Sequence, residues 1–320
     1  MLIAAGADLS ICNHDREGSM PLTTAAYRGR NAFIPILLDA HIARDQLHVK
    51  DKRGNTPLHV TAFNDLPNFA EKILKKRPNV VNIPSNNGKA ALHDAAERGR
   101  SKVVNVLLKH GAEIDAKDNE GKTPLLWVSL ASSRLSTVQI GFADIFQAVD
   151  RKHKDTVKIL LDAGADPNIP TWKETIAHLA GKHGSVDILE LLFANSKFDY
   201  TGTQQWGISG LHQAIFYKHN AAAMAFLKHD AKHGYKLLNS TNGWGNTPLY
   251  DCGQQGNLEM ARALLESGKC DLSIRAKDGK TAMDIAKEKG HQEIVALLAQ
   301  AETEEWTKIE SPADVNPTVS

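Results

Sequence analysis

Residues 54–59 read Gly-Asn-Thr-Pro-Leu-His, and the rest of the chain follows from how this stretch is read. Thr56 is placed to cap a helix with its hydroxyl. Pro57, at the first helical position, gives up only an N–H that has no partner there. The stretch recurs as Gly121-Lys122-Thr123-Pro124-Leu125, as Gly245-Asn246-Thr247-Pro248-Leu249 and as Gly88-Lys89-Ala90-Ala91-Leu92-His93. Weaker copies start at Met20, Thr175, Ser209 and Thr281. Successive starts lie 36, 34, 33, 52, 34, 38 and 34 residues apart. A period this regular marks a chain of stacked supersecondary units.

Each unit carries its own physics. Small pairs such as Ala25-Ala26 and Ala95-Ala96 let two helices approach closely, and a glycine such as Gly99, Gly184 or Gly256 ends the first helix in a left-handed turn. An amphipathic second helix follows, as in Val103-Val104-Asn105-Val106-Leu107-Leu108, and often ends in Gly-Ala-Asp or Gly-Ala-Glu. A polar, Gly-containing segment then makes a β-hairpin finger to the next unit. Over residues 1–301 this pattern resembles the ankyrin-repeat family. The resemblance implies an all-α solenoid with short β-hairpin fingers. It would hold eight helix pairs plus a truncated N-terminal repeat, since Leu2-Ile3 and Gly6-Ala7-Asp8 read as the end of a second helix. A repeat stack needs a polar end cap, so a start inside a unit suggests a fragment of a longer protein.

The 52-residue interval holds an insertion at about 132–151. Phe142, Ile145, Phe146 and Val149 recur at helical spacing there, which predicts a second helix that starts early, near Phe142. The insertion reads as a tolerated loop or as a binding element on one face. The charged last unit, with Lys287, Glu288 and Lys289, reads as a C-terminal cap. Residues 302–320 are acidic, aperiodic and carry Pro312 and Pro317, and read as a flexible tail with Trp306 in it.

Composition narrows the function. With 38 basic and 37 acidic residues the formal net charge is +1, which points away from nucleic acid. No apolar run reaches the ~18 residues of a membrane span. Cys12, Cys252 and Cys270 are odd in number and far apart, so neither a disulfide framework nor a zinc knuckle is indicated and a reducing, intracellular (cytoplasmic or nuclear) setting fits. Gly121-Lys122-Thr123 and Gly279-Lys280-Thr281 look like the end of a phosphate-binding loop, but the glycine needed five residues earlier is Ala116 or Ile274. His59, His93, His178 and His212 are the histidine of the repeat, which the resemblance assigns to hydrogen bonds between neighbouring loops. His229 and His233 alone do not make a metal site. No catalytic motif, metal or cofactor is expected.

Three of the five tryptophans share one offset. Trp172, Trp206 and Trp244 each lie three residues before a helix start, at Thr175, Ser209 and Thr247. Stacked units would set them in a column with steps of about 10 Å. In ankyrin proteins the fingertip and the end of the first helix commonly line the partner groove. The resemblance therefore nominates Trp172, Glu174, Trp206, Ile208, Trp244 and Asn246 on the fingers, and Lys182, His183, Phe216 and Tyr217 at the helix ends. Clustered exposed aromatics mark interaction sites, although the same rings also serve to stiffen fingers. The expected function is a monomeric, non-catalytic module that binds a protein or peptide segment. The alternatives are a regulatory or targeting segment of a larger enzyme and a methyl-lysine reader built on Trp172, Glu174 and Trp206.

Overall fold

The computed structural model describes residues 7–9, 20–43, 45–128, 143–171, 174–204 and 206–309, of which 27, 143–152 and 304–309 are described by backbone alone. Helices come in pairs. They are α1 Pro21–Tyr27 with α2 Ile34–Ala43, α3 Pro57–Phe63 with α4 Pro67–Lys76, and α5 Ala91–Glu97 with α6 Ser101–Lys109. A helix described over 124–128, α7, precedes α8 Ala143–Asp162. Then follow α9 Ile176–His183 with α10 Val186–Ala194, α11 Gly210–Phe216 with α12 Asn220–Lys232, α13 Pro248–Gln255 with α14 Leu258–Leu265, and α15 Ala282–Glu288 with α16 Gln292–Ile309. Eight pairs therefore lie among the described residues. The chain divides into two compact units, residues 1–172 with 194–198, and residues 173–193 with 199–320.

Within each unit first helices pack on first helices and second on second, as in α3 on α5 and α12 on α14. The sequence sets this order. In α3 Leu58, Val60 and Ala62 are buried, and in α4, which packs on α3, so are Ala70, Ile73 and Leu74. The hydroxyls of Thr175, Ser209, Thr247 and Thr281 accept the backbone N–H three residues on, which caps α9, α11, α13 and α15. The repeat histidine joins neighbours. The Thr56 N–H donates to His59 Nδ1 (3.1 Å), which leaves Nε2–H to donate to the Lys89 carbonyl one unit on (3.0 Å). His93 and His212 make the same bridge, to Ala116 O (3.0 Å) and Asn246 O (3.1 Å). His178 departs from the expected role: it is buried and neither ring nitrogen has a hydrogen-bond partner among the described residues.

The fingers are turns rather than strand ladders; among the described residues the one bridge is Thr203 with Ser209. Fingers close with a backbone bond across their own turn, as in Ser85 N–H to Lys89 O (2.8 Å), and bond sideways to their neighbours, Asn86 N–H to Arg53 O (2.9 Å) and Asn119 N–H to Asn87 O (3.1 Å). The contact is close enough that a Cβ on Gly54 (φ +80°) would lie 2.5 Å from Asn86 N. Among the described residues two units lack the glycine that ends the first helix, and there Asp65 and Lys218 take φ of 57° and 59°. Helices α9 and α11 approach closely: a Cβ on Gly181 would sit 2.0 Å from the Gly210 carbonyl oxygen.

The early second helix appears as α8, twenty residues long from Ala143. The loop expected before it and, apart from Ala7 and Asp8, the truncated first repeat lie outside the described residues. The last helix continues to Ile309, eight residues into the segment read as an aperiodic tail, because Glu302, Glu304 and Glu305 are good helix formers that extend it without apolar periodicity.

Candidate functional site

The second unit carries the nominated fingertips. The tip around Trp244 is held by Asn242, whose Oδ1 accepts the N–H of Trp244 (3.0 Å) and of Asn246 (3.1 Å). Neighbouring tips are tied by backbone bonds, Gly243 N–H to Trp206 O (2.6 Å) and Lys277 N–H to Trp244 O (2.8 Å). With the backbones fixed at one offset, the Trp206 and Trp244 rings stack, centroids 6.1 Å apart and planes 21° from parallel. Both stay about half in solvent, 55% and 52% exposed.

Phe216, the last residue of α11, and Tyr217 behind it meet edge to face at 5.2 Å and are 51% and 46% exposed. They and the Trp244 finger border one groove of about 670 Å³. Of the nominated residues it is lined by Ile208, Asn246, Trp244, Phe216 and Tyr217. Trp206 adjoins it through the ring stack. Lys182 and His183 do not line it. Lys182 is drawn to Glu174 (Nζ to Oε1, 3.2 Å), and burial holds the His183 imidazole below its ordinary range. This pairing supplies Glu174 with a cation from its own chain, so the proposed methyl-lysine cage has no uncommitted carboxylate. Trp172 lies outside the described residues.

The sequence reading missed the inner wall. Tyr250 and Asp251, on the first turn of α13, line the groove and are buried, 6% and 5% exposed, and Asp278 of the next finger joins them. Tyr250 OH donates to Asp278 Oδ2 (3.0 Å), and burial and that carboxylate push the phenol up to about 12. The Asp251 carboxylate accepts one long bond from Asn246 Nδ2 (3.3 Å), and burial pushes it up to about 7. Asp278 is held below the usual carboxylate range, first by the Lys280 backbone N–H, and Lys280 Nζ lies 3.5 Å away. The available signal was Tyr250-Asp251 standing where His59-Val60 stand in the cleanest repeat.

No group of three or more potential metal ligands occurs among the described residues, and no helix among them is long and apolar enough to cross a membrane. A site of exposed aromatics around one buried carboxyl, Asp251, and one exposed carboxylate, Asp278, can bind apolar and cationic groups.

Comparison with known proteins agrees with this architecture. A family model described as ankyrin repeats matches residues 40–118, 72–140, 145–236 and 211–308. Inversin of Homo sapiens is 29% identical over 201 residues, 60% of this chain and 16% of that protein. NF-kappa-B inhibitor delta of Mus musculus is 27% identical over 67% of this chain and 68% of its own length. The human ankyrin repeat and SOCS box protein 3 is 32% identical over 52% of this chain and 34% of its own length. The chain thus spans a small part of inversin. The ankyrin-repeat domain of human ASB11 superposes with a TM-score of 0.59 at 24% identity, covering 76% of this chain and 97% of that one. The ankyrin-repeat protein EF0377 superposes with a TM-score of 0.53 at 27% identity, covering 65% and 96%. Stacked helix pairs, bridging histidines and a family match over most of its length all place this chain in the ankyrin-repeat family.

Proposed function

We propose that this chain binds a protein partner by taking an extended or helical segment of it across the fingertips and first-helix ends of the second unit. Ankyrin repeats generally mediate protein–protein interaction, which supplies the class. The specific site rests on one observation: Trp206, Trp244, Phe216 and Tyr217 are each about half exposed, yet all four border or adjoin a single groove. Fully burying one such ring is worth about 1.5–3 kcal/mol, so the remaining exposed halves together favour association by several kcal/mol before its entropic cost. Ile208 and Asn246 shape the groove between them.

The test is a quantitative pull-down from lysate of the source cells. It compares the unaltered chain, a Trp206→Ala/Trp244→Ala variant, and a control Phe33→Ala/Ile36→Ala variant that removes two exposed apolar side chains (58% and 55%) from the other unit. Partners kept by the control and lost by the tryptophan variant support the reading. Partners that both variants retain refute it.

A further inference from the structure

The groove has a chemical character beyond being apolar. Its walls are aromatic, from Trp244, Phe216 and Tyr217, and its inner surface is acidic, from Asp251 with Asp278 nearby. Among the described residues Lys277 is the single cationic side chain lining it, and it is exposed. The two carboxylates differ. Asp278 already has Lys280 and the Tyr250 hydroxyl. Among the described residues Asp251 has only the 3.3 Å bond from Asn246, although a carboxylate can accept about four hydrogen bonds and a buried one loses much by going without.

A carboxylate set behind aromatic faces attracts an organic cation in two ways, through the charge and through the ring quadrupoles. A guanidinium suits both better than an ammonium. It is planar, stacks on an indole, is more weakly hydrated, and presents five N–H groups that can satisfy one carboxylate with a pair of bonds while a third reaches elsewhere. We propose that the groove takes an arginine side chain presented by the partner segment, its guanidinium laid against Trp244 and directed at Asp251. This rests on the groove being the partner site.

The charge state of the wall supports the geometry. Free of a cation, Asp251 titrates at about 7, raised by burial. Bound arginine favours the ionised form, so binding weakens as the pH falls below about 7. Three other groups facing the groove keep their charge across pH 5 to 8: Asp278 is held ionised by its hydrogen bonds, burial drives His212 down to about 4, and Tyr250 is up at about 12.

The test is selection of random 12-residue peptides displayed on phage against the full 320-residue chain, with each enriched peptide re-measured by fluorescence polarisation on the unaltered chain and on Trp244→Ala. Peptides that need Trp244 are expected to share an arginine. Its replacement by citrulline, which keeps the shape and removes the charge, should weaken binding about 10- to 100-fold, the range of one hydrogen bond to a charged group. The arginine preference and its pH dependence should both disappear in Asp251→Asn. Trp244-dependent peptides that carry no arginine, that tolerate citrulline, or that accept lysine equally well overturn the arginine assignment and leave the groove as partner site. An arginine preference undiminished in Asp251→Asn also overturns it. If no selected peptide depends on Trp244, the partner site itself is wrong and the arginine assignment falls with it.

Discussion

Replacing Asp251 with Asn should stabilise the protein at alkaline pH, against the usual cost of altering a buried residue. The side chain is 5% exposed and its carboxyl is raised from 3.8 to about 7, chiefly by burial. In the unfolded chain the proton leaves near 3.8. Between the two values the folded state holds the extra proton, so this group's contribution declines as pH rises through that window and is level beyond it. The two values lie about 3 pH units apart and each unit corresponds to about 1.4 kcal/mol, so the charged carboxylate costs up to about 4 kcal/mol at pH 8 and about 1 kcal/mol at pH 4.5. Asparagine has nearly the same shape, keeps an acceptor for Asn246 and never ionises. The variant should therefore exceed the unaltered chain by about 2–4 kcal/mol at pH 8, and by much less at pH 4.5. Urea unfolding followed by circular dichroism at both pH values measures this, and the difference between the two proteins cancels groups that titrate in both. A difference independent of pH, or a variant less stable at pH 8, would refute the reasoning.

Other changes have equally definite signs. In Gly181→Ala, alanine gains about 1 kcal/mol of helix propensity, but its Cβ would lie 2.0 Å from the Gly210 carbonyl, so a net loss of about 2 kcal/mol is expected in urea melts; a gain would mean α9 and α11 do not approach so closely. Trp206→Ala/Trp244→Ala should cost only about 1–2 kcal/mol, because both rings are half exposed, whereas Phe226→Ala at a fully buried site should cost about 3–5 kcal/mol; equal losses in thermal melts would assign the indoles to the core. Burial lowers His212 from 6.5 to about 4, so its contribution is complete above 6.5 and is lost as pH falls towards 4, by about 3 kcal/mol. His178 acts in the same direction, and a His178→Gln/His212→Gln variant should show a flatter acid limb of stability between pH 6.5 and 4.

The repeat was legible because its cues are local. A capping hydroxyl, a proline and a run of apolar residues at fixed spacing locate Pro57, Ile176 and Pro248 as first helical residues with no knowledge of the neighbours. Features that depend on the next unit were not legible. Lys218 gives no sign in sequence that it will take the left-handed turn that Gly184 and Gly256 take elsewhere. Trp127 breaks the tryptophan pattern, and its burial follows from an acceptor nine residues back, Asp118 Oδ2 at 2.7 Å from Nε1, and from Lys89 of the preceding unit 3.2 Å over its ring. The common offset of Trp206 and Trp244 was visible, but the acidic wall behind them requires α13 and the following finger to be placed together. Lys182 and His183 occupy positions equivalent to Phe216 and Tyr217, yet Glu174 captures the lysine, which an offset alone does not reveal.

The backbone bonds between fingers separate two tasks that share the same residues. At Trp206 and Trp244 the carbonyl oxygen holds the neighbouring finger, while the indole faces outward. Any amino acid supplies that carbonyl. Mutation can therefore rewrite the side chain at these tips, and with it the identity of the ligand, while the hydrogen bonds that join finger to finger persist. Selection can explore new specificities at these positions with little risk to folding, and lineages of such arrays can diverge in what they recognise faster than in how they are built.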